Sequence, residues 1–555
     1  MGVPFKILDW KAKVANKRES LKIPSQWRLD SRYLDLINES STVSVTNVPR
    51  ECGILTQKEL EITEIKASCL LKLLISGKLS SYEVTLAFCK RAAIAHQLTN
   101  CLAEFFPEEG LQLAREIDEI FIRSGKPVGR LHGLPISFKE IFNISNHETT
   151  FAYVSYIGNI KNEDGLVVKC IKAAGGVPFC KTNISQGCLI VEGMNNVFGT
   201  CLNPNNLSLT AAGSSSGEGA LVRMKGSPLG IGTDAGGSIR LPAHSNGVFG
   251  FMPSTNRITN SGIGDGAGPL TWVLSQIGPL TNDVKMIETW FKAMLDYKME
   301  DYDSFCYKVP WCDVDLRNQR LVIGVIFQDN VVETTPAMLR CLQEVVLKMK
   351  RAGHLIIEID VGELHRKITE TVFQMYVSTG IPSYRNAIEA SGEPCIARCC
   401  GSECKSAMSL QQVYSLDTQA RKLCEEYLQN VFTKNNLHVL LTPSSPNPPA
   451  PHGKYSTNSL SAVYNCLGYP AGVVPTGFVI PEKDKPTEMY LSSGVHPDLD
   501  ILELFPYDYY DKYVKEELYT DINKFKNAPL SIQIVGRKFT DEFVIKVMEL
   551  IAELF

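Results

Sequence analysis

The sequence contains no long apolar run. Stretches such as Cys69–Ile75 are short and carry a charge inside them, here Lys72. None approaches the roughly 20 apolar residues that a membrane-spanning helix needs, so no integral membrane anchor is expected. The first residues, MGVPFKILDWKAKVANKRES, lack the apolar core of a secretory leader. Lys6 stands where a myristoylation pattern needs Ser or Thr, and the final IAELF carries no retention or peroxisomal address. These absences together predict a cytoplasmic location. There is no basic excess either: 56 Lys and Arg face 60 Asp and Glu, for a net charge of −4. A nucleic-acid partner, which calls for a concentrated basic surface, is not expected.

Histidine is scarce, with nine residues and no H-x-x-x-H pair. The 17 cysteines are scattered and odd in number, which suits reduced thiols better than a disulfide framework. Their densest group, Cys395, Cys399, Cys400 and Cys404, reads C-x3-C-C-x3-C with no histidine nearby. Paired C-x2-C units, the common zinc spacing, are missing. Neither a metal nor another cofactor is therefore expected.

What is present is an ordinary folded composition, 44% hydrophobic and 21% charged. From residue 62, ITEIKASCLLKLLISG reads as one helix ending at Gly77. A second helix opens with Ser80 and Glu83 in capping-box spacing, the serine capping an orphan amide and the glutamate reaching back. Beyond it, helical and strand patterns alternate. GLVVKCIKAAGGVPFCKTN reads helix, turn, strand; RLVIGVIFQ, NLHVLLTPSSP, GVVPTGFVI and APLSIQIVGR read as strands. Such interleaving predicts a layered α/β fold with a large, mainly parallel or mixed sheet. No flexible linker divides it. Residues 1–55 read as a mixed helical and irregular extension, with Trp10 and Trp27 as anchors onto the body. Pro443–Pro451, PSSPNPPAP, reads as a rigid loop over the site rather than a tether.

Two segments are rich in glycine and serine. Residues 211–220 read AAGSSSGEGA, and residues 230–240 read GIGTDAGGSIR. The first contains G-x-S-x-G, which would make Ser215 the nucleophile of an elbow fed by a strand and served by a histidine. The residues before it, CLNPNNLSLTAAG, are polar and turn-like instead. A phosphate loop is disfavoured too, because no Gly-Lys-Ser/Thr follows. In the second segment, an apolar strand runs into Gly236 and Gly237 and then Ser238. Consecutive amides in such a turn can aim at one anion, and a serine beside them can attack a carbonyl whose oxyanion forms there. A serine needs a base. Lys139 ends the apolar stretch GLPISFKE, where burial of its amine is possible. Bringing a lysine from a pKa of about 10.4 to about 7–8 takes roughly 3–5 kcal/mol, within the reach of desolvation.

GLPISFKE, AAGSSSGEGALV and GTDAGGSIRLPA, in this order and spacing, resemble the amidase signature family. KTNISQG, FGTCLNPNN, IGPLTNDV, NCLGYPAGVVPTG and SIQIVGRKFTDE extend the resemblance over most of residues 60–555, and HVLLTPSSPNPPAPHG resembles the fungal acetamidase branch. The resemblance implies one large α/β domain over 56–555, with a signature core of about 130–285 and a mixed central sheet sandwiched between helices. It implies an amide hydrolase without cofactor, acting on a small-molecule amide; a homodimer is compatible with it. It also implies roles: Lys139 as base, Ser214 as proton bridge, Ser238 as acyl-forming nucleophile. The amides of Ala235, Gly236, Gly237 and Ser238 would form the oxyanion hole, and Cys188 falls where some relatives contact substrate. Asp234 and Arg240 match a polar pair, read here as a structural ion pair. Ala211, Ala212 and Ser216 depart from the family's usual P-G-G-S-S-G-G turn, and Asn282 stands in place of a usual basic residue. A glutamine-hydrolysing amidotransferase A-type subunit and a catalytically impaired member are the alternative readings.

Overall fold

The computed structural model describes residues 9–264, 273–396, 407–455, 457–488, 519 and 521–555. Eleven of its strands form one sheet: β1 (Leu102–Phe105), β2 (Pro135–Lys139), β3 (Val177–Thr182), β4 (Leu229–Asp234), β5 (Phe249–Met252), β6 (Gln276–Thr281), β7 (Val322–Val325), β8 (Leu355–Glu358), β9 (Val439–Pro443), β10 (Ala471–Phe478) and β11 (Pro529–Val535). Their order is β1-β3-β2-β4-β6-β5-β10-β11-β9-β7-β8. The sheet is mixed. β2 lies parallel between β3 and β4, and β7 lies parallel between β8 and β9. Antiparallel strands join these two parts through β6, β5, β10 and β11. Every residue of β2, β3 and β4 is buried. That is what parallel strands covered on both faces require, and it explains their continuous apolar runs.

The Ser80 box forms as expected. Ser80 accepts from the Glu83 amide at 3.1 Å, and Glu83 accepts from the Ser80 amide at 3.2 Å. The helix it starts, Ser81–Thr99, ends at Asn100 in the left-handed region, φ 54°. The single helix expected before Gly77 is two, Gln57–Glu64 and Ala67–Ile75. The break comes from far along the chain. Asp283 accepts the Ser68 amide at 2.9 Å and the Ser68 hydroxyl at 2.5 Å, satisfying donors that a continuous helix would turn inward.

Near the N-terminus, Trp27 is buried with Leu29, Tyr33, Val45 and Val48 against helix Ser81–Thr99, while Trp10 packs on the main core. Lys17 reaches Glu104 at 2.7 Å and Glu148 at 3.1 Å. The proline-rich stretch after β9 is docked. The carbonyl of Ala450 accepts from the Thr210 amide at 2.8 Å, and Ser444 bonds His244 Nδ1 at 2.8 Å. It therefore braces the strand-like approach to the serine turn at 211–216.

Because β2 and β4 run parallel and adjacent, their carboxyl ends share one edge of the sheet. Lys139 closes β2, and Asp234 closes β4 just before the Ala235–Ser238 turn. Carboxyl edges of parallel strands are where α/β proteins gather ligand groups.

Candidate active site

Lys139 is completely buried. Its Nζ is hydrogen-bonded to Ser214 Oγ at 2.7 Å and to Thr233 Oγ1 at 2.7 Å, with the Thr233 carbonyl at 3.4 Å. Burial pushes its pKa below the usual lysine range; the Cys188 thiol and the Asp234 and Glu218 carboxyls pull the other way. Glu218 sits beneath, accepting from Ser137 at 2.6 Å and Thr182 at 2.9 Å, so it ties β2 and β3 to the helix Ser216–Arg223. Burial raises its pKa to about 8.

The two serine segments are bolted together. The Ser215 amide donates to the Ser238 carbonyl at 3.2 Å, and Ser215 Oγ donates to the Thr233 carbonyl at 3.4 Å. Gly217 must be glycine: a Cβ there would lie 2.2 Å from the Cys101 carbonyl and 2.4 Å from the Asn183 amide. Ser216, one of the three residues that depart from the family turn, donates to the Asn183 carbonyl at 3.2 Å. It is accommodated because its neighbour is Gly193, where a Cβ would come within 2.5 Å of the Ser216 Cβ.

Asp234 and Arg240 form a fully buried pair at 2.9 Å. The Asp234 carboxylate also accepts the amides of Gly237 at 2.7 Å, Ile239 at 3.1 Å and Arg240 at 3.3 Å. Against burial, which pushes its pKa up, the Arg240 guanidinium beside it holds the carboxylate down at about 2. The ion pair is thus structural, and what it shapes is the Ala235–Ser238 turn. Gly237 sits at φ 114°, a region costly for side-chain-bearing residues.

Of the residues expected at the site, Lys139 and Ser214 touch. Cys188, half-buried at φ 58°, presents its thiol to both; burial raises the thiol's pKa and Lys139 opposes the rise. Ser238 is half-buried, and its hydroxyl makes no hydrogen bond to Ser214 among the described residues. The Gly237 amide, expected to face an oxyanion, is engaged by Asp234 instead. The amides of Ala235, Gly236 and Ser238 donate to nothing among the described residues. No histidine bonds Ser214, Ser215 or Ser238 among the described residues; His244 bonds Ser444 and the Asn447 carbonyl. Thr233, Tyr376, Asn458, Ser461 and Asn465 also surround the turn and escaped the sequence reading. Only Thr233 and Asn465 had a signal, the first as the residue before Asp234 in GTDAGGSIRLPA and the second as the first residue of NCLGYPAGVVPTG.

Among the described residues, no group of three or more His, Cys, Asp or Glu is placed to hold a metal ion. Cys399, Cys400 and Cys404 of the clustered cysteines lie outside the described residues. No helix among the described residues is long and apolar enough to cross a membrane.

A buried amine bonded to one serine, with a second serine in a glycine turn on the same sheet edge, equips a hydrolase. The chain belongs to the amidase family, whose model matches residues 83–545, and is an amide hydrolase. It is 34% identical to an amidase of Gibberella zeae over 99% of each chain. It is 31% identical to the acetamidase of Emericella nidulans over 98% of each. Among solved structures it is similar to a fatty acid amide hydrolase, with a TM-score of 0.89 and 33% identity, covering 99% of this chain and 95% of that one.

Proposed function

We propose that the protein cleaves a carboxylic acid amide to the acid and ammonia or an amine through an acyl-enzyme on Ser238. Neutral Lys139 takes a proton from Ser214, and Ser214 takes one from Ser238. The Ser238 oxygen attacks the amide carbon, and backbone amides of the 235–238 turn stabilise the oxyanion. Ser214 then returns a proton to the leaving nitrogen as the C–N bond breaks. Water cleaves the ester by the same relay and regenerates Ser238. The observation that carries this reading is the contact of a fully buried Lys139 amine with Ser214 Oγ at 2.7 Å. A desolvated lysine is a suitable general base near neutral pH. The open link between Ser214 and Ser238 is of the kind that tightens when substrate binds.

Similarity to the Emericella nidulans acetamidase supports a small aliphatic amide as substrate. We take Cys188, beside the base, to contact the acyl group. The same reading makes residues 1–55 an extension on a catalytic domain of 56–555, working in the cytoplasm. An ammonia-release screen over acetamide, longer aliphatic amides, aromatic amides and glutamine tests it, with Ser238→Ala as blank. Turnover of at least one amide that vanishes in the blank is expected. Equal turnover by Ser238→Ala would overturn the assignment.

A further inference from the structure

The nucleophile turn is held carbonyl by carbonyl. The Ala235 carbonyl accepts from Tyr376 Oη at 2.5 Å. The Gly236 carbonyl accepts from Asn458 Nδ2 and Ser461 Oγ, each at 2.9 Å. The Gly237 carbonyl accepts from the Leu241 amide at 2.7 Å, and the Ser238 carbonyl from the Ser215 amide. In a planar trans peptide, the C=O of one residue and the N–H of the next point in opposite directions. Fixing each carbonyl therefore fixes the following amide. The two bonds on Gly236 turn the Gly237 amide onto Asp234, where it is found. By the same geometry, the bond on Ala235 turns the Gly236 amide away from Tyr376, where it has no partner among the described residues.

Tyr376 lies on helix Gly362–Val377, outside every motif that marks the site. Its hydroxyl fits the backbone closely: a Cβ on Gly236 would stand 2.5 Å from Tyr376 Oη and 2.9 Å from Asn458 Nδ2. Burial raises the phenol's pKa, which keeps it a donor throughout the working pH range.

We propose that Tyr376 is a positioning residue for amide hydrolysis, its hydroxyl locking the Ala235–Gly236 peptide so that the Gly236 N–H points at the oxyanion formed on attack by Ser238. The inference rests on Ser238 being the nucleophile. The Tyr376 hydroxyl bonds the Ala235 carbonyl and acts through the peptide it holds. Its effect belongs to the transition state, because the ground-state carbonyl needs the donor less than the oxyanion does.

Tyr376→Phe keeps the ring and removes the hydroxyl. Deleting an oxyanion donor outright costs about 100- to 1000-fold in kcat. Here the donor stays and loses its brace, so the expected loss is about 10-fold in kcat, with KM within about twofold. A trifluoromethyl ketone, which forms a tetrahedral adduct, should lose affinity in parallel. The acid product, a planar ground-state ligand, should bind as before. Rates are normalised to serine titrated with a fluorophosphonate, so a partly unfolded preparation still yields kcat per site. Unchanged kcat and unchanged ketone affinity would overturn the proposal, as would a loss confined to KM. Activity surviving in Ser238→Ala would instead remove the reading beneath it; an inactive Ser238→Ala beside an unimpaired Tyr376→Phe would remove this inference alone.

Discussion

Lys139→Met replaces the buried amine with an unbranched apolar chain and leaves the strand intact. The structure sets both sides of the consequence. Lost are hydrogen bonds to Ser214 Oγ and Thr233 Oγ1, both at 2.7 Å. Each hydroxyl left without a buried partner costs about 1–3 kcal/mol. Against this, the variant no longer desolvates an amine, a cost that falls on the wild type. The two contributions oppose, so the fold should survive with a stability change of about 3 kcal/mol or less. Catalysis has no such offset. A positioned general base contributes about 100- to 10,000-fold. The barrier should therefore rise by about 2.7–5.5 kcal/mol, at about 1.36 kcal/mol per decade. The pH profile gives a second, independent sign. Burial lowers the Lys139 pKa, so the neutral, active base accumulates as pH rises through that lowered value. Wild-type kcat/KM should climb from acidic to neutral pH, and the climb should vanish in Lys139→Met. Steady-state ammonia release on acetamide, read from acidic to mildly alkaline pH with thermal melting alongside, measures both. A folded variant with a loss under about fivefold, against the 100-fold or more expected of a base, would refute the base role. So would a pH limb that survives the substitution.

Further outcomes follow from the same geometry. Ser214→Ala should cut amide hydrolysis by about 100-fold or more and hydrolysis of an ester of the same acid by less, because both substrates lose the relay that activates Ser238 and only the amide also loses protonation of its leaving nitrogen; a loss under about fivefold on the amide would count against a proton bridge. Gly193→Ala should lower stability by about 1–3 kcal/mol through its clash with Ser216, and Ser216→Gly in the same chain should restore most of it, as denaturant titration of the four chains would show. Glu218 is raised to about 8 by burial, so the folded state holds its proton where the unfolded state has lost it. Its contribution to stability is present below the ordinary glutamate range and is lost as pH rises toward about 8. Melting temperatures should fall over that span, and Glu218→Gln should flatten the slope; an equal slope in the variant would show that other groups set it.

Local order in the sequence carried far into this structure, and long-range order did not. The Ser80–Glu83 box, the buried strands β2 and β4, and the two serine segments are short-range patterns whose physics is complete within a few residues. The layered α/β fold followed from their alternation. The break between helices Gln57–Glu64 and Ala67–Ile75 was illegible because Asp283, which caps the second, lies 215 residues beyond Ser68. At the site, Lys139 and Ser214 stood out by motif. The engagement of the Gly237 amide depends on how the turn curls back on Asp234, which spacing does not reveal. Tyr376 and Asn458 come from helical regions 141 and 222 residues away from the carbonyls they hold. Their residue types are ordinary in a helix and at its start, so only the packed structure distinguishes them. Ser216, an oddity in the motif, becomes intelligible once Gly193 is seen against it.

The central claim is that acyl transfer passes through Ser238. Quenching the enzyme during turnover of a slow aryl amide, followed by intact-mass measurement and peptide mapping, tests it most directly. One acyl group per chain is expected, on the peptide containing Ser238, and none in Ser238→Ala. An adduct on Ser215 or Cys188 that accounts for turnover would contradict it.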